Sequence, residues 1–146
     1  MSGILSHEPS AIVQQWMIDN GLGTDPAAAS SWPIYSTFRP DRPDSLITIY
    51  DSAGKVTGKS MPDREVQEQY GIKVLLRDPS PVAGPTKARA IQTAFDAAYE
   101  DEVSLEGVTY LIHNFLRGER INTLGHETGN QRLLYSLNVT VNLRQL

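Results

Sequence analysis

The run Ala53-Gly54-Lys55-Val56-Thr57-Gly58-Lys59-Ser60 is where residue type and spacing in this chain come nearest to chemistry. It satisfies a relaxed phosphate-loop pattern, with alanine in place of the first glycine. In such a loop backbone N–H groups cradle phosphates. Lys59 would reach the β and γ phosphates, and the Ser60 hydroxyl would hold Mg²⁺. The run Leu46-Ile47-Thr48-Ile49-Tyr50 supplies the preceding strand. The context beyond fits poorly. Pro62 stands two residues past Ser60, so a helix opening there would be short and polar. Asp78 follows Arg77, whose charge is badly placed beside Mg²⁺. Strands and helices do not alternate as a parallel nucleotide fold demands. The run therefore reads as a Gly/Lys-rich loop, and a small nucleotide-binding enzyme using residues 53–60 stands as the alternative.

The remaining reactive side chains are scattered. His7, His113 and His126 form no helical His-x-x-x-His pair, and His126-Glu127 does not extend to a zinc-protease motif because Asn130 stands where its second histidine would be. His113 falls in an alternating run and reads as a half-exposed sheet residue. The chain has no cysteine, which excludes disulfides, thiolate nucleophiles and cysteine-ligated metals. No Gly-x-Ser-x-Gly elbow is present. Asp96, Glu100, Asp101, Glu102 and Glu106 form an acidic cluster that reads as a solvated helix end and loop, with subunit contact or divalent-cation binding as its functional options. The expectation is a protein with no catalytic residue, no cofactor and no metal site.

The chain that must position these groups has 146 residues, a common size for one domain with its own core. It is 40% hydrophobic and 21% charged, which excludes disordered and fibrous classes. The net charge of −4 disfavours tight binding of nucleic acid, which usually needs a basic surplus, but allows a polyanion to slide past. No apolar run approaches membrane-spanning length. The first residues lack a basic start and an apolar core, so no signal peptide is expected, and the protein is expected to be soluble and made in the cytoplasm.

Ile12, Val13, Trp16 and Met17 recur at helical spacing, which predicts a helix over 8–20 with Pro9 in its first turn and Gly21 as its stop. Leu22 to Ser45 is rich in Pro, Asp, Ala and Ser and reads as an arm or loop, with one short strand within Trp32–Phe38. Strands are expected at Leu46–Tyr50 and Gly71–Arg77, with a turn at Asp51–Gly54 and a short helical turn over Arg64–Tyr70. Ala88, Ile91, Phe95 and Ala98 form one stripe of a second helix, Pro85–Glu100, and Lys87, Arg89, Gln92 and Asp96 lie off it. Further strands are expected at Val108–Phe115 and Ile121–Leu124, joined by the turn Arg117-Gly118-Glu119, with a polar loop at 125–130.

The clearest signal closes the chain. Leu133, Tyr135, Leu137, Val139, Val141 and Leu143 alternate with Leu134, Ser136, Asn138, Thr140, Asn142 and Arg144. A period of two held this long predicts a strand with one buried face. The whole reads as a single α+β domain, 1–146, with a mixed or antiparallel sheet and two main helices packed on one face. It divides into an N-terminal helix (1–21), a Pro-rich arm (22–45) and a sheet-and-helix core (46–146).

The order of these features resembles the tail-terminator, or tail-completion, minor capsid proteins of long-tailed bacteriophages. The matching segments are Ile49-Tyr50-Asp51-Ser52-Ala53-Gly54, then Gly71-Ile72-Lys73-Val74-Leu75-Leu76-Arg77. Lys87-Ala88 through Phe95, Leu124-Gly125-His126-Glu127 and the strand Leu133–Leu143 follow in the same order. The resemblance spans most of 47–143, and the 22–45 arm has no counterpart in it. It implies a virion protein of the tail or neck, made in the host cytoplasm. Such a protein forms a homo-oligomeric ring, commonly a hexamer, that caps the tail tube and joins it to the head connector. DNA passes through the lumen without specific binding, and there is no cofactor, catalysis or membrane. A head-completion or neck protein is the nearest alternative. A ring subunit needs two complementary patches. The expected sources are the Asp51–Ser60 loop and the Leu22–Ser45 arm, both ordered on assembly, and the edge of the long terminal strand.

Overall fold

Pro9 opens the first helix, α1 (Pro9–Asp19), at the position where a missing N–H costs least. The Glu8 side chain in front of it makes no cap bond. The cap comes from far along the chain: Asp51 accepts the Ser10 backbone N–H at 2.9 Å and the Ser10 hydroxyl at 2.7 Å. A carboxylate there also faces the positive end of the helix. The computed structural model describes residues 5–28, 31–59, 66–117, 119–126 and 132–146. After α1 come a 3₁₀ turn (Pro26–Ala28), β1 (Ile34–Ser36), β2 (Leu46–Lys59) and β3 (Val66–Asp78). Then follow α2 (Ala83–Ala97), β4 (Asp101–Leu105), β5 (Val108–Arg117), β6 (Asn122–His126) and β7 (Leu133–Gln145).

The fold is α+β, as expected. The sheet runs β1-β2-β3-β7-β5-β4, with β6 also on β7. Only β1–β2 is parallel, so the sheet is mixed. Strands β5 and β6 lie end to end along one side of β7: Arg117 faces Val139 and Asn122 faces Ser136. The other side of β7 is filled by β3, from Tyr70 opposite Val141 to Asp78 opposite Leu133. The long terminal strand is therefore central, with partners on both sides. The edge that its polar alternation suggested for a neighbour is already used within the chain.

Both helices pack on one face. Ile47, Ile49, Ile72, Val74, Leu76 and the alternating β7 residues Tyr135, Leu137, Val139 and Val141 are buried there against Ile12, Val13, Trp16, Met17, Ile91 and Phe95. Each such side chain contributes about 1.5–3 kcal/mol when taken fully out of water. At the centre Trp16 stacks on Phe95 with ring centroids 5.5 Å apart, and Phe115 closes the cluster 4.5 Å from Phe95.

The 22–45 segment is folded onto its own chain where it is described. After β1 it crosses the opposite face of the sheet as a strap. Arg77 is 1% exposed and donates to the carbonyls of Asp41 at 2.9 Å and Pro43 at 2.5 Å. Arg132 pairs with the Asp41 carboxylate at 3.0 Å and reaches Asp44 at 3.4 Å. The Ser45 hydroxyl donates to Asp78, which also accepts the Ser80 N–H at 2.9 Å. Leu46, Thr48, Leu75 and Ser136 on this face are buried. Proline-rich composition signalled no regular element here, but the exposed carbonyls of such a segment are natural acceptors for guanidinium donors.

Other expectations need correction. Asp51–Gly54 is not a turn, because β2 runs on through it to Lys59. Val66–Tyr70 is strand and not a helical turn, since it pairs with β2; residues 64 and 65 lie outside the description. Helix α2 ends at Ala97, where Ala98 turns extended at φ −67° and ψ 132°. The acidic stretch after it is the edge strand β4 and not a helix end and loop. Asp101, Val103 and Leu105 do alternate, and Glu106-Gly107, at φ 51° and 82°, form the two-residue turn into β5. Two left-handed residues in succession are the signature of a tight hairpin turn.

Candidate functional site

The phosphate-loop candidate has lost its loop. The backbone of 53–59 is strand, and Lys55, Val56, Gly58 and Lys59 pair with Gln69, Glu68, Gln67 and Val66. A phosphate loop needs successive N–H groups turned toward one point, whereas a paired strand alternates them across its two edges. Ser60 lies outside the described residues. What 51–59 does build is a ribbon. Strand β7 leaves β3 at Tyr70, and β1 covers only Ile47–Ile49 of β2. Past Tyr70 the hairpin therefore continues, among the described residues, as β2 and β3 alone, with register shifts at Ser52/Lys55 and Val56/Gly58.

The histidines and the acidic cluster do not meet at one centre. His7 Nδ1 lies 2.6 Å from the Tyr110 hydroxyl, and its Nε2 lies 3.1 Å from Glu106. Burial raises the Tyr110 pKa above the usual phenol value. His113, half-exposed on β5, lies 2.8 Å from Glu100. His126 is in β6 opposite Leu133. Asp101 accepts the Trp16 indole N–H at 2.9 Å. Asp96 takes Arg117 with two bonds, at 3.2 and 3.0 Å. Hydrogen bonding to Asp96 raises the Arg117 pKa further. Each carboxylate of the cluster thus has its own partner, except Glu102, which stands exposed on β4 with none among the described residues. Among the described residues no group of three His, Asp or Glu side chains could hold a metal ion.

A feature that the sequence reading did not assemble lies between α2 and the junction of β5 and β6. A groove of about 510 Å³ is lined by Arg89, Gln92, Arg117, Arg120, Thr123 and Tyr135, together with Pro85 and Ile121. In the sequence Arg89 and Gln92 lie off the apolar stripe of α2, and Arg117 reads as part of a turn. Only the end-to-end run of β5 into β6 brings them together. Arg89 and Arg120 are exposed and make no hydrogen bond or ion pair among the described residues. Two unpaired guanidiniums therefore share one concavity in a chain of net charge −4.

No protein-family model matches the chain, and no curated protein matches it. The geometry offers a two-stranded ribbon, outer edges of β4 and β6 that have no strand partner among the described residues, a strapped outer face and an arginine groove. Among the described residues no helix is long and apolar enough to cross a membrane.

Proposed function

We propose that this chain is a structural subunit that works by self-assembly, a tail terminator of a long-tailed phage virion. Copies close into a ring, most simply a hexamer, that caps the tail tube and meets the head connector. DNA passes through the lumen without specific contacts. The side chains of the subunit bind neighbours and perform no catalysis.

The observation that carries this reading is the β2–β3 ribbon. An isolated two-stranded hairpin is only marginally stable in water. Here the pairing runs on to Lys59 and Val66, past the last residue that a third strand supports. A ribbon of that kind gains most when a neighbouring copy packs on it or extends its edge. The resemblance of the order of sequence features to that of tail terminators supports this identity, and the acidic net charge suits a passage for DNA.

The test is light scattering on the intact protein and on a shortened form. In the short form residues 53–70 are replaced by Asn-Gly, joining Ser52 to Gly71, which already face each other. The expected result is concentration-dependent assembly of the intact protein and a folded monomer for the short form. Equal assembly by both would remove the ribbon from the account. An intact protein that stays monomeric at every concentration would overturn the proposed function.

A further inference from the structure

We infer that the arginine groove between α2 and β6 receives the acidic β4 edge of a second copy of this chain. The inference rests on the self-assembly reading and names one contact within it.

The groove is built for carboxylates. A planar guanidinium binds a carboxylate with two parallel bonds. Arg117 does this at the groove wall with Asp96 of its own chain. Arg89 and Arg120 present the same chemistry with no partner among the described residues. Gln92 and Thr123 add neutral donors and acceptors. The volume of about 510 Å³ admits a few side chains and a short stretch of backbone.

The complementary surface is on the same molecule. Strand β4 ends the sheet, so its outer backbone groups have no strand partner among the described residues. Glu102 is exposed on it and Glu100 and Glu106 are exposed at its two ends, and Glu102 makes no side-chain bond among the described residues. Val103 points into the core, so its neighbour Glu102 projects from the opposite face of the strand. Beside the groove, β6 pairs only with β7 among the described strands, leaving its own outer edge free. Both edge strands are five residues long. Opposite charges and two open edges on separate patches are what a head-to-tail contact needs, and such a contact gives a ring when its rotation closes. Charge pairing at such a contact sets its register and speeds association.

The experiment is a charge swap read by light scattering, with circular dichroism to check folding. Arg89→Glu with Arg120→Glu should weaken association on the order of a hundredfold, since two attractive pairs become repulsive. Glu102→Arg with Glu106→Arg should do the same. Mixing the two variants should restore assembly, because each then meets a complementary neighbour on both sides. The neutral pair Arg89→Gln with Arg120→Gln should weaken association less and abolish its salt dependence. Assembly indifferent to all these changes, or not restored by mixing, overturns the inference and leaves self-assembly standing. A monomeric wild-type protein overturns both.

Discussion

Ser10 and Asp51 make a two-pronged contact: the Ser10 backbone N–H and hydroxyl both donate to the Asp51 carboxylate, at 2.9 and 2.7 Å. The first turn of α1 is thereby capped from the strand whose extension forms the ribbon. Asp51→Ala should lower the free energy of unfolding by about 1 kcal/mol, the usual worth of a helix cap. Urea titration would check this, and an unchanged midpoint would show that the contact carries no stability.

Arg77 is the buried anchor of the outer strap, bonded to the carbonyls of Asp41 and Pro43. Arg77→Met should cost about 3 kcal/mol, because strap carbonyls lose a charged donor while the strap still covers the sheet. Arg77→Lys should not recover the loss, since an ammonium lacks the planar fork that reaches several acceptors. Limited proteolysis should then cut within 37–45 sooner than in the wild type.

The strap should also respond to acid. The hydrogen bond from Arg132 holds the Asp41 carboxyl below its ordinary value of 3.8. A carboxyl depressed in the folded state binds fewer protons there than in the unfolded chain. Its contribution is therefore complete above about pH 4 and fades as pH falls through the folded value. Asp41→Asn should lower stability by a constant amount near neutrality and flatten the profile below pH 4, where the wild type loses the same contribution. A profile of unchanged slope would contradict the assignment.

Thr48 is fully buried in β2, and its hydroxyl has no hydrogen-bond partner among the described residues. Thr48→Val keeps the shape and the β-branching while removing the unsatisfied group. The melting temperature should rise, by an amount corresponding to about 1 kcal/mol. A fall would mean that the hydroxyl is satisfied in solution.

Periodicity made much of this fold legible. The β7 alternation and the α2 stripe of Ala88, Ile91 and Phe95 are buried as their spacing predicts, because burial of one face is what writes a period into a sequence. The errors share a cause: local composition outweighed pairing. Ala53–Lys59 is rich in glycine and lysine, yet backbone bonds to 66–69 make it strand. Strand β4 hid behind its glutamates because an edge strand tolerates charge. The central place of β7 depends on which strands flank it, which no single segment records. The arginine groove was out of reach for the same reason, since Arg89 and Arg120 meet only through the sheet's topology.

The account's central claim is self-assembly into a ring, and negative-stain microscopy of the concentrated protein tests it most directly. The account predicts closed rings with a central hole wide enough for a DNA duplex. Uniform single subunits, or closed dimers without a hole, would contradict it.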